Sequence, residues 1–484
     1  MGLAALSLQA NTARAQTEAV AEAAFAGYNS AFLLRSGGQT FYHKTISNVK
    51  PTGTWGEATD INLAQDAYDR AQTATNKQLV VDLMASFLAQ NNFDWANDTW
   101  NDDLAWMATT CIRGYQITGN TTYLTQGEYA WNTAYNRGWD STFGGGVWEN
   151  MATLASKCAL SNDPFVTLGC TLYQITGDST YLTKAKAMYA WVRANLLNTT
   201  TGQVNECIKS TGLSVSDNIY NSGSFVAAAN ALYNVTGTIS YYNDAILAAD
   251  HVVSKYPIVT TSRRSDSSED DNYMRGLAYF CRDNNLWSRY YPWMLNNAAA
   301  AWSVRRTDYN ITWNNFTAQT ATDDTTNMEC QASTCLQLVI PPRYEVEAQT
   351  VASYVGPDFR IIADSNFSNG SGVILDSNAV GNSIVFLAEN VGARKYDVRV
   401  GVKKMDTRGT FQLAIGQSGN HSPSNVGPTH DLYSSSAQYT EMDLGTWQPA
   451  TAGDKWFWFT ITGKNASSSG YTECFDYIVL EPVK

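Results

Sequence analysis

The chain has 484 residues, of which 44 are acidic and 32 basic, so its formal net charge is −12. Charged residues make up 16% of the chain, below the roughly 25% of an average globular protein, while 15 Trp and 27 Tyr are present. The acidic balance argues against nucleic acid as a partner, and no segment approaches the roughly 20 apolar residues of a membrane span. A neutral polar surface rich in aromatic rings suits a neutral ligand with two kinds of face, most commonly a sugar.

The beginning of the chain predicts secretion. Residues 1–15 hold a short apolar stretch and end in Ala13-Arg14-Ala15, which has the pattern of a signal-peptide cleavage site, so we interpret them as the remnant of a signal peptide. Ten Asn-x-Ser/Thr sequons support a secreted, extracellular glycoprotein. They begin at Asn97, Asn120, Asn198, Asn234, Asn310, Asn315, Asn366, Asn369, Asn420 and Asn465.

An internal repeat organises residues 16–340. The segment that starts at Tyr115 returns 58 residues later at Tyr173, and a weaker copy starts at Tyr233. Each copy lies between two stretches of helical periodicity, so Gly119 is predicted to end one helix and Asn120 or Thr121 to begin the next. Further helices are predicted over 79–90, 273–281, 291–305 and 329–338. Five or six such hairpins predict an open solenoid or a closed (α/α)6 barrel, whose inner helix ends surround a pocket.

The pattern changes at Pro341-Pro342, which cannot continue a helix. Short apolar or alternating runs follow, separated by Gly, Asn and Ser clusters; they span 344–346, 384–387, 396–402, 411–415, 456–461 and 477–480. This predicts a linker over 341–343 and an all-β jelly-roll sandwich over 344–484. The fold class is therefore multidomain, with an all-α barrel followed by an all-β sandwich.

A pair of acids, Asp102 and Asp103, opens a predicted helix. Hydrolysis of a glycoside needs two carboxyl groups flanking the bond. Neighbouring residues have Cα atoms about 3.8 Å apart, so both side chains can reach one sugar if the helix end faces a pocket. Two close carboxylates push their pKa values apart, which keeps one of them protonated as an acid. The ordinary alternative is an acidic first helix turn. We interpret Asp270-Asp271 as the cap of the following helix and Asp323-Asp324, in a Thr-rich loop-like stretch, as a solvated cap.

The sequence Asp102-Asp103-x-x-Trp106 resembles the paired-Asp motif of glycoside hydrolase family 76, the α-1,6-mannanases. Further segments resemble other motifs of that family in the same order. They are Gly144-Gly145-Gly146-Val147-Trp148, Lys157-Cys158-Ala159-Leu160-Ser161-Asn162, Tyr220-Asn221-Ser222-Gly223 and Glu329-Cys330-Gln331-Ala332-Ser333. The resemblance covers roughly residues 25–340 and implies the (α/α)6 fold.

The resemblance also implies roles for individual residues. Asp102 would be the nucleophile and Asp103 the general acid/base of a retaining reaction that needs no cofactor. Sugar contacts are expected from Asn101, Trp106, Trp148, Tyr220, Asn221 and Arg275. Alternatively, Asn221 caps a helix, and Gly144, Gly145 and Gly146 form a flexible turn. Trp139 and Trp148 are expected as pocket rings, whereas Trp131, Trp191 and Trp302 are expected in the core.

The β part resembles carbohydrate-binding modules of families 6 and 35. Its first strand reads Tyr344-Glu345-Val346-Glu347-Ala348 and its last reads Phe475-Asp476-Tyr477-Ile478-Val479-Leu480. The resemblance implies a structural Ca²⁺ held by Glu345, Glu347 and Asp476, and oxygen ligands suit that ion. The alternative is a set of solvent-facing acids on an edge strand. Trp447 is expected in a loop that contacts sugar, and Trp456 and Trp458 are expected to be partly core.

Together these observations predict a secreted, monomeric, retaining glycoside hydrolase that binds a polysaccharide. Its most specific interpretation is an endo-α-1,6-mannanase that cleaves α-mannosidic bonds in fungal or yeast cell-wall mannan. One alternative is a cell-wall transglycosylase that joins mannose-containing glycans, and another is a non-catalytic glycan-binding protein.

Overall fold

The computed structural model describes residues 17–261 and 270–484, so the predicted signal remnant lies outside the described residues. The chain divides into two compact units. One unit comprises residues 22–68 and 74–340 and is mainly helical. The other comprises residues 341–484 with residues 17–21 and 69–73, and it is mainly β. Within the described part of the chain, every helix is too short or too polar to cross a membrane.

Helices account for most of the first unit. The helices of the described residues are α1 (Glu18–Phe32), α2 (Thr54–Arg70), α3 (Ala74–Gln90), α4 (Asn101–Thr118), α5 (Thr121–Gly138), α6 (Asp163–Thr176), α7 (Ser179–Asn195), α8 (Ile219–Thr236), α9 (Ile239–Lys255), α10 (Asp271–Asn284), α11 (Trp287–Ser303) and α12 (Asn327–Val339). The four additional predicted helices correspond to α3, α10, α11 and α12.

The repeated segment forms the turn between two helices, as its sequence predicts. Gly119 has φ 75° and ψ 7°, and its N–H donates to the carbonyl of Tyr115, which closes α4. The Asn120 side chain accepts a hydrogen bond from the N–H of Thr122 at 3.0 Å and begins α5. The second copy repeats both contacts between α6 and α7, where Asp178 is the capping residue. A position with left-handed backbone geometry favours glycine. The glycine in each of these two copies therefore predicts the end of the first helix of its hairpin correctly.

The even-numbered helices of this unit are successive neighbours. Helices α4, α6, α8, α10 and α12 pack one against the next. The series returns to α2 because the side-chain amides of Asn327 and Gln331 donate to the Asp60 carboxylate at 2.6 and 2.8 Å. Helix α2 reaches α4 through the Gln65 amide, which donates to the carbonyl of Thr110 at 2.9 Å. The apolar faces between these helices form the core of the unit.

Five short strands interrupt the helices and were not predicted. Strands β1 (Leu33–Ser36) and β2 (Gln39–Tyr42) form a hairpin, while β3 (Ser156–Cys158), β4 (Cys207–Lys209) and β5 (Gly212–Ser214) form a small antiparallel sheet. Cys158 and Cys207 are register partners on β3 and β4 and form a disulfide. The other six cysteines are buried and form no disulfide, and they pack as small hydrophobic side chains.

The second unit contains two antiparallel sheets. One has the strand order β13-β12-β15-β10-β7, and the other has the order β14-β11-β16-β9-β8 with β6 paired to β16. The strands are β6 (Arg343–Glu345), β7 (Val351–Val355), β8 (Asp358–Ala363), β9 (Ser371–Asp376), β10 (Ser383–Val391), β11 (Tyr396–Lys404), β12 (Gly409–Gln417), β13 (Ser424–Asp431), β14 (Gln438–Trp447), β15 (Gly453–Lys464) and β16 (Glu473–Pro482). Arg343, placed in the predicted linker, is therefore the first residue of a strand.

The core of this unit is built from alternate residues of its strands. Phe457 and Phe459 of β15 are buried in it together with Phe386 of β10. Trp447 does not lie in a loop, so that expectation is wrong. It ends β14, pairs in register with Tyr396, stacks on the Tyr396 ring at 6.2 Å and packs against the core.

Candidate active site

The two predicted acids lie in the first turn of α4, where the sequence places them. Trp100 precedes the helix with an extended backbone and no side-chain capping bond. Asp103 is buried, and one carboxylate oxygen of Asp102 is buried without a hydrogen-bond partner. A buried oxygen that lacks a partner is costly in a folded protein, so Asp102 has unused capacity to bind a proton or a ligand.

The surroundings of Asp102 favour its neutral form. Burial raises the pKa of Asp102 to about 7, and the nearby charge of Glu149 raises it as well. The main-chain N–H groups of Asp102 and Asp103 act in the opposite direction. A carboxyl group with this pKa is about half protonated at neutral pH, whereas a solvated Asp is ionised there.

Asn101 fixes the start of α4 against the glycine-rich segment, which comprises residues 144–148. Its side-chain amide donates to the carbonyl of Trp148 at 2.6 Å, and its side-chain oxygen accepts from Nε of Arg137 at 2.8 Å. Its main-chain N–H donates to the carbonyl of Glu149 at 2.8 Å. Asn101 is fully buried, so these contacts make it a positioning residue beside the acids, and its expected sugar contact stays a prediction.

Lys157 holds the glycine-rich segment in place. Its side chain is fully buried, and its ammonium donates to the carbonyls of Thr142 and Gly145 at 3.0 and 2.8 Å. It also pairs with the Asp140 carboxylate at 2.6 Å. Desolvation of Asp140 is outweighed by hydrogen bonds from Lys157 and Trp148, so the pKa of Asp140 lies well below its usual range. The ammonium of Lys157 thus holds the backbone of the glycine-rich segment in place.

Gly146 is required for packing and is more than a flexible turn. Its φ is +82°, and a Cβ at this position would lie 2.6 Å from the ring of Trp191. Gly144 has a similar φ of +80°, yet nothing lies within 4 Å of a Cβ there. The indole N–H of Trp191 donates to the carbonyl of Phe143 at 3.0 Å. The backbone at Gly146 therefore approaches an indole ring closely.

The aromatic residues expected near the substrate are largely buried. Trp106 and Trp148 are each 6% exposed. The Trp148 indole N–H donates to Asp140 at 2.8 Å, which orients the ring in the glycine-rich segment. Trp139 is partly exposed and stacks on Tyr135 at 5.4 Å. Any ring surface offered to a ligand here is an edge or one face.

The tryptophans expected in the core divide into two groups. Trp131 and Trp191 are buried, which confirms the prediction for them. Trp302 is partly exposed, and the guanidinium of Arg305 lies 4.0 Å from its ring centre, so the core prediction is wrong there. A cation over an indole face shields the ring without burying it completely.

The segment that contains Tyr220 and Asn221 starts α8. The helix begins at Ile219 after Asn218, so Asn221 lies inside it and the capping alternative is wrong. The Tyr220 hydroxyl donates to the Glu206 carboxylate at 3.3 Å and accepts from the Asn218 amide at 2.6 Å. Asn221 is fully buried, and neither polar atom of its amide has a hydrogen-bond partner.

Arg275 belongs to a buried ion-pair network. Its guanidinium contacts the carboxylates of Asp66 at 2.7 Å and Asp271 at 3.0 Å, and Asp66 also pairs with Arg113 at 2.7 Å. Arg113 follows Asp102 by eleven positions on α4, which corresponds to about 16 Å along the helix axis. The structure therefore joins Arg275 to opposite charges deeper along the helices and does not bring it to the paired acids.

Glu149 is the acid that sequence reasoning missed. Its carboxylate accepts from the Ser156 hydroxyl at 2.5 Å. Burial raises the pKa of Glu149, and the charge of Glu206 adds to this effect. Since Glu149 in turn raises the pKa of Asp102, it is part of the electrostatic environment of the candidate site. Its position directly after Trp148, at the end of the glycine-rich segment, is the signal that could have identified it.

The three acids expected to hold Ca²⁺ in the β unit lie around one short segment. Glu345 and Asp476 both accept hydrogen bonds from the Ser368 hydroxyl at 2.7 Å, and Glu347 accepts from the Asn369 amide at 2.8 Å. The guanidinium of Arg343 pairs with Glu345 at 2.8 Å. Protein donors thus satisfy these carboxylates, and a cation here would compete with Arg343.

Among the described residues, a different group of side chains lies close enough together to suggest a metal site. Glu149, Cys158 and Cys207 place their ligand atoms within 4.8 Å of one another. The disulfide uses both sulfur atoms, so this group does not offer the thiolates that bind metals. The acids of the β unit do not form an equally close set.

Glycoside cleavage requires a pair of carboxyl groups, and the adjacent acids at the start of α4, beside the glycine-rich segment, are the candidate pair. The sequence model of glycosyl hydrolase family 76 matches residues 13–341, well over half of the chain. The chain belongs to glycosyl hydrolase family 76, and its enzyme class is glycoside hydrolase. None of the curated proteins compared with the chain matches it.

Solved structures share the fold of the helical unit. The α-1,6-mannanase GH76A from Salegentibacter sp. HEL1_6 is 21% identical, with a TM-score of 0.60 over 66% of this chain and 98% of that one. An inactive variant of it, with two adjacent aspartates changed to asparagine, was solved with α-1,6-mannotriose; it is 20% identical, with a TM-score of 0.61 over 66% and 98%. A family 76 mannosidase from Bacteroides thetaiotaomicron is 18% identical, with a TM-score of 0.55 over 66% and 97%.

Proposed function

We propose that this protein is a secreted, retaining endo-α-1,6-mannanase that acts on fungal or yeast cell-wall mannan. The observation that carries the proposal is the pair Asp102-Asp103 in the first turn of α4, in a unit that belongs to family 76. Similar proteins are described as α-1,6-mannanases, and the variant of one of them that binds α-1,6-mannotriose lacks two adjacent aspartates. These descriptions support the same bond and the same pair of acids here.

The architecture proposed for the two units follows the same reasoning. The successive contacts of the even-numbered helices support an (α/α)6 barrel, in which the starts of inner helices surround the substrate pocket. The two antiparallel sheets support a jelly-roll carbohydrate-binding module. Such a module raises the local concentration of a polymer near the catalytic unit.

The two acids divide the reaction between them. The carboxylate of Asp102 attacks the anomeric carbon while Asp103 donates its proton to the departing glycosidic oxygen, giving a covalent mannosyl-enzyme. Asp103 then removes a proton from water, which attacks the same carbon and releases Asp102, so the α configuration is retained.

These roles require Asp102 to be ionised. Because burial raises its pKa to about 7, kcat/KM should increase as the pH rises through about 7. If the roles of the two acids were exchanged, loss of the Asp102 proton would instead reduce kcat/KM over the same interval.

The Ca²⁺ site at Glu345, Glu347 and Asp476 remains a proposal. The position of Glu345 and Asp476 on the same Ser368 hydroxyl supports it, and the contact of Arg343 with Glu345 is what the ion would have to displace. Thermal unfolding with Ca²⁺ and with a chelator tests it. A higher melting temperature with Ca²⁺, lost in Asp476→Asn, is expected; equal curves would contradict the site.

A substrate panel tests the proposed activity. The protein should release short oligosaccharides with α configuration from linear α-1,6-mannan, and should act less on branched yeast mannan. Cleavage restricted to uronic acid polymers would refute the proposal. Longer products on addition of an acceptor glycan would instead support the transglycosylase, which differs only in what attacks the covalent intermediate. The absence of products with every polymer would support the non-catalytic alternative.

A further inference from the structure

The outer face of the five-stranded sheet carries two tryptophans side by side. Trp456 and Trp458 alternate along β15 with Phe457 and Phe459, which are buried in the core. The two indoles therefore point away from the core and remain partly exposed. Their ring centres lie 5.4 Å apart with a 71° angle between the planes. They were expected to be partly core, and the structure places them on the opposite face.

The neighbours of these indoles are small or neutral. On β12 the register partners of Trp456, Trp458 and Thr460 are Gly416, Ala414 and Gln412. On β10 the partners are Leu387, Val385 and Ser383. Among these described positions none is Asp, Glu, Lys or Arg. Lys455 belongs to the other side of the strand, where its ammonium donates to Gln417 at 2.9 Å and to the carbonyl of Gly453 at 2.8 Å.

We infer that Trp456 and Trp458 form a binding platform for a neutral polysaccharide of the kind that the helical unit is proposed to cut. Indole faces bury the C–H surface of a pyranose ring. On β12 the absence of a side chain at Gly416 leaves room for Pro423 and the edge of the Trp458 ring, which lie 3.3 and 3.5 Å from the position of a Cβ there. The hydroxyl of Thr460 can bond to sugar hydroxyl groups. The lack of charge matches a neutral chain and disfavours an anionic polymer.

The alternative occupant is a glycan attached to the protein itself. Asn420-His421-Ser422 is a sequon, Asn420 is exposed, and the His421 ring lies 5.6 Å from that of Trp456. An oligosaccharide on Asn420 could cover the indoles. Protein made in a bacterial host lacks this modification, so the two occupants can be separated.

The experiment uses the full chain with Asp102→Asn, so that bound polymer is not cut. Affinity electrophoresis in gels containing linear α-1,6-mannan measures the dissociation constant of this parent and of variants that add Trp456→Ala, Trp458→Ala or Thr460→Glu. Tyr354→Ala is the control, because Tyr354 is 41% exposed on β7 of the same sheet. We expect each variant of the platform to bind about 2- to 13-fold more weakly, and the control to bind like the parent.

Thr460→Glu keeps both indoles and adds one charge, so it remains informative if loss of an indole destabilises the sheet. Parent-like binding by Trp456→Ala and Thr460→Glu would overturn the platform. Binding by glycosylated protein only after Asn420→Gln would also overturn it in favour of the attached glycan.

The inference rests on the proposed substrate, and its failure can be told apart from failure of the proposed function. Hydrolysis of soluble mannotetraose by the same platform variants without Asp102→Asn should stay within about twofold of wild type. If wild type cuts mannan while the platform variants bind it normally, only the platform fails. If wild type cuts no mannan, the proposed function fails, and binding of other neutral glycans by the parent still decides the platform.

Discussion

The two units of the chain use tryptophan in opposite ways. In the helical unit several indoles are almost completely buried, among them Trp106, Trp131, Trp148 and Trp191. In the β unit the core is built from Phe and aliphatic side chains, and its three tryptophans, Trp447, Trp456 and Trp458, all stay partly exposed. Most tryptophans of the helical unit that the structure describes thus contribute to its interior, whereas no tryptophan of the β unit is fully buried.

This difference separates two tasks that a polysaccharide-cleaving enzyme must perform. In the helical unit the buried ammonium of Lys157 holds the glycine-rich segment, and burial of the Asp102 carboxyl raises its pKa. Exposed indoles on a flat sheet can contact a polymer without changing its bonds. Changes in the helical interior should therefore act on turnover, and changes on the outer sheet face on polymer binding.

The largest expected effect is the loss of either paired acid. Asp102→Asn and Asp103→Asn should each reduce kcat on linear α-1,6-mannan by about 10³-fold or more, because each removes a group that acts on the reacting bond. Binding of α-1,6-mannotriose, measured by calorimetry, should change little. Asp94→Asn, an exposed acid in the preceding loop, is the matched control. Activity above a tenth of wild type in both paired-acid variants would contradict the site.

The next effect comes from Lys157. Lys157→Met removes the ammonium that donates to the carbonyls of Thr142 and Gly145. The free energy of unfolding, measured with denaturant, should therefore fall by about 2–3 kcal/mol. We expect kcat/KM to fall with it, since Trp148 and Asn101 depend on the same segment. Lys186→Met on the exposed side of α7 should change neither quantity. Equal stability of the two variants would show that Lys157 does not hold the segment.

A smaller effect is expected from the glycines. Gly146→Ala should destabilise the protein by about 1–3 kcal/mol, because its Cβ meets the Trp191 ring and its φ is unfavourable. Gly144→Ala shares the φ strain without the clash, so thermal unfolding should separate the two variants. Identical melting temperatures of the two variants would mean that the Trp191 ring moves without an energetic cost and that the packing around Gly146 is not tight.

The smallest effect is electrostatic. Glu149→Gln removes a negative charge that raises the pKa of Asp102, so that pKa should fall from about 7. If ionised Asp102 is the active form, the rising limb of kcat/KM against pH moves to lower pH in the variant. A limb that stays in place would show that Glu149 does not influence the pKa of Asp102. A shift to higher pH would contradict the expected direction of that influence.

The sequence predicts the local features of this protein well. The helix end at Gly119 and the helix start at Asn120 follow from residue preferences that act within one turn, and the structure confirms both. The position of Asp102 and Asp103 in the first turn of α4 is equally local. Alternation along β15 likewise allows only two faces for Trp456 and Trp458.

Features that depend on distant contacts could not be predicted in this way. The pairing of Cys158 with Cys207 follows from the register of β3 and β4, which no nearby residue specifies. Arg275 is joined to Asp66, 209 positions away, in an ion pair that only the folded chain reveals. Which face of β15 is buried is decided by the opposing sheet, and so the position of the two indoles was misjudged.

Trapping the covalent intermediate tests the central claim most directly. A 2-deoxy-2-fluoro or 5-fluoro mannosyl donor should slow breakdown of the mannosyl-enzyme, and mass spectrometry of a digest then locates the sugar. We expect one added fluoromannosyl group on the peptide that contains Asp102, with fragmentation assigning it to Asp102 itself. Attachment to Asp103, or to any residue outside α4, would contradict it.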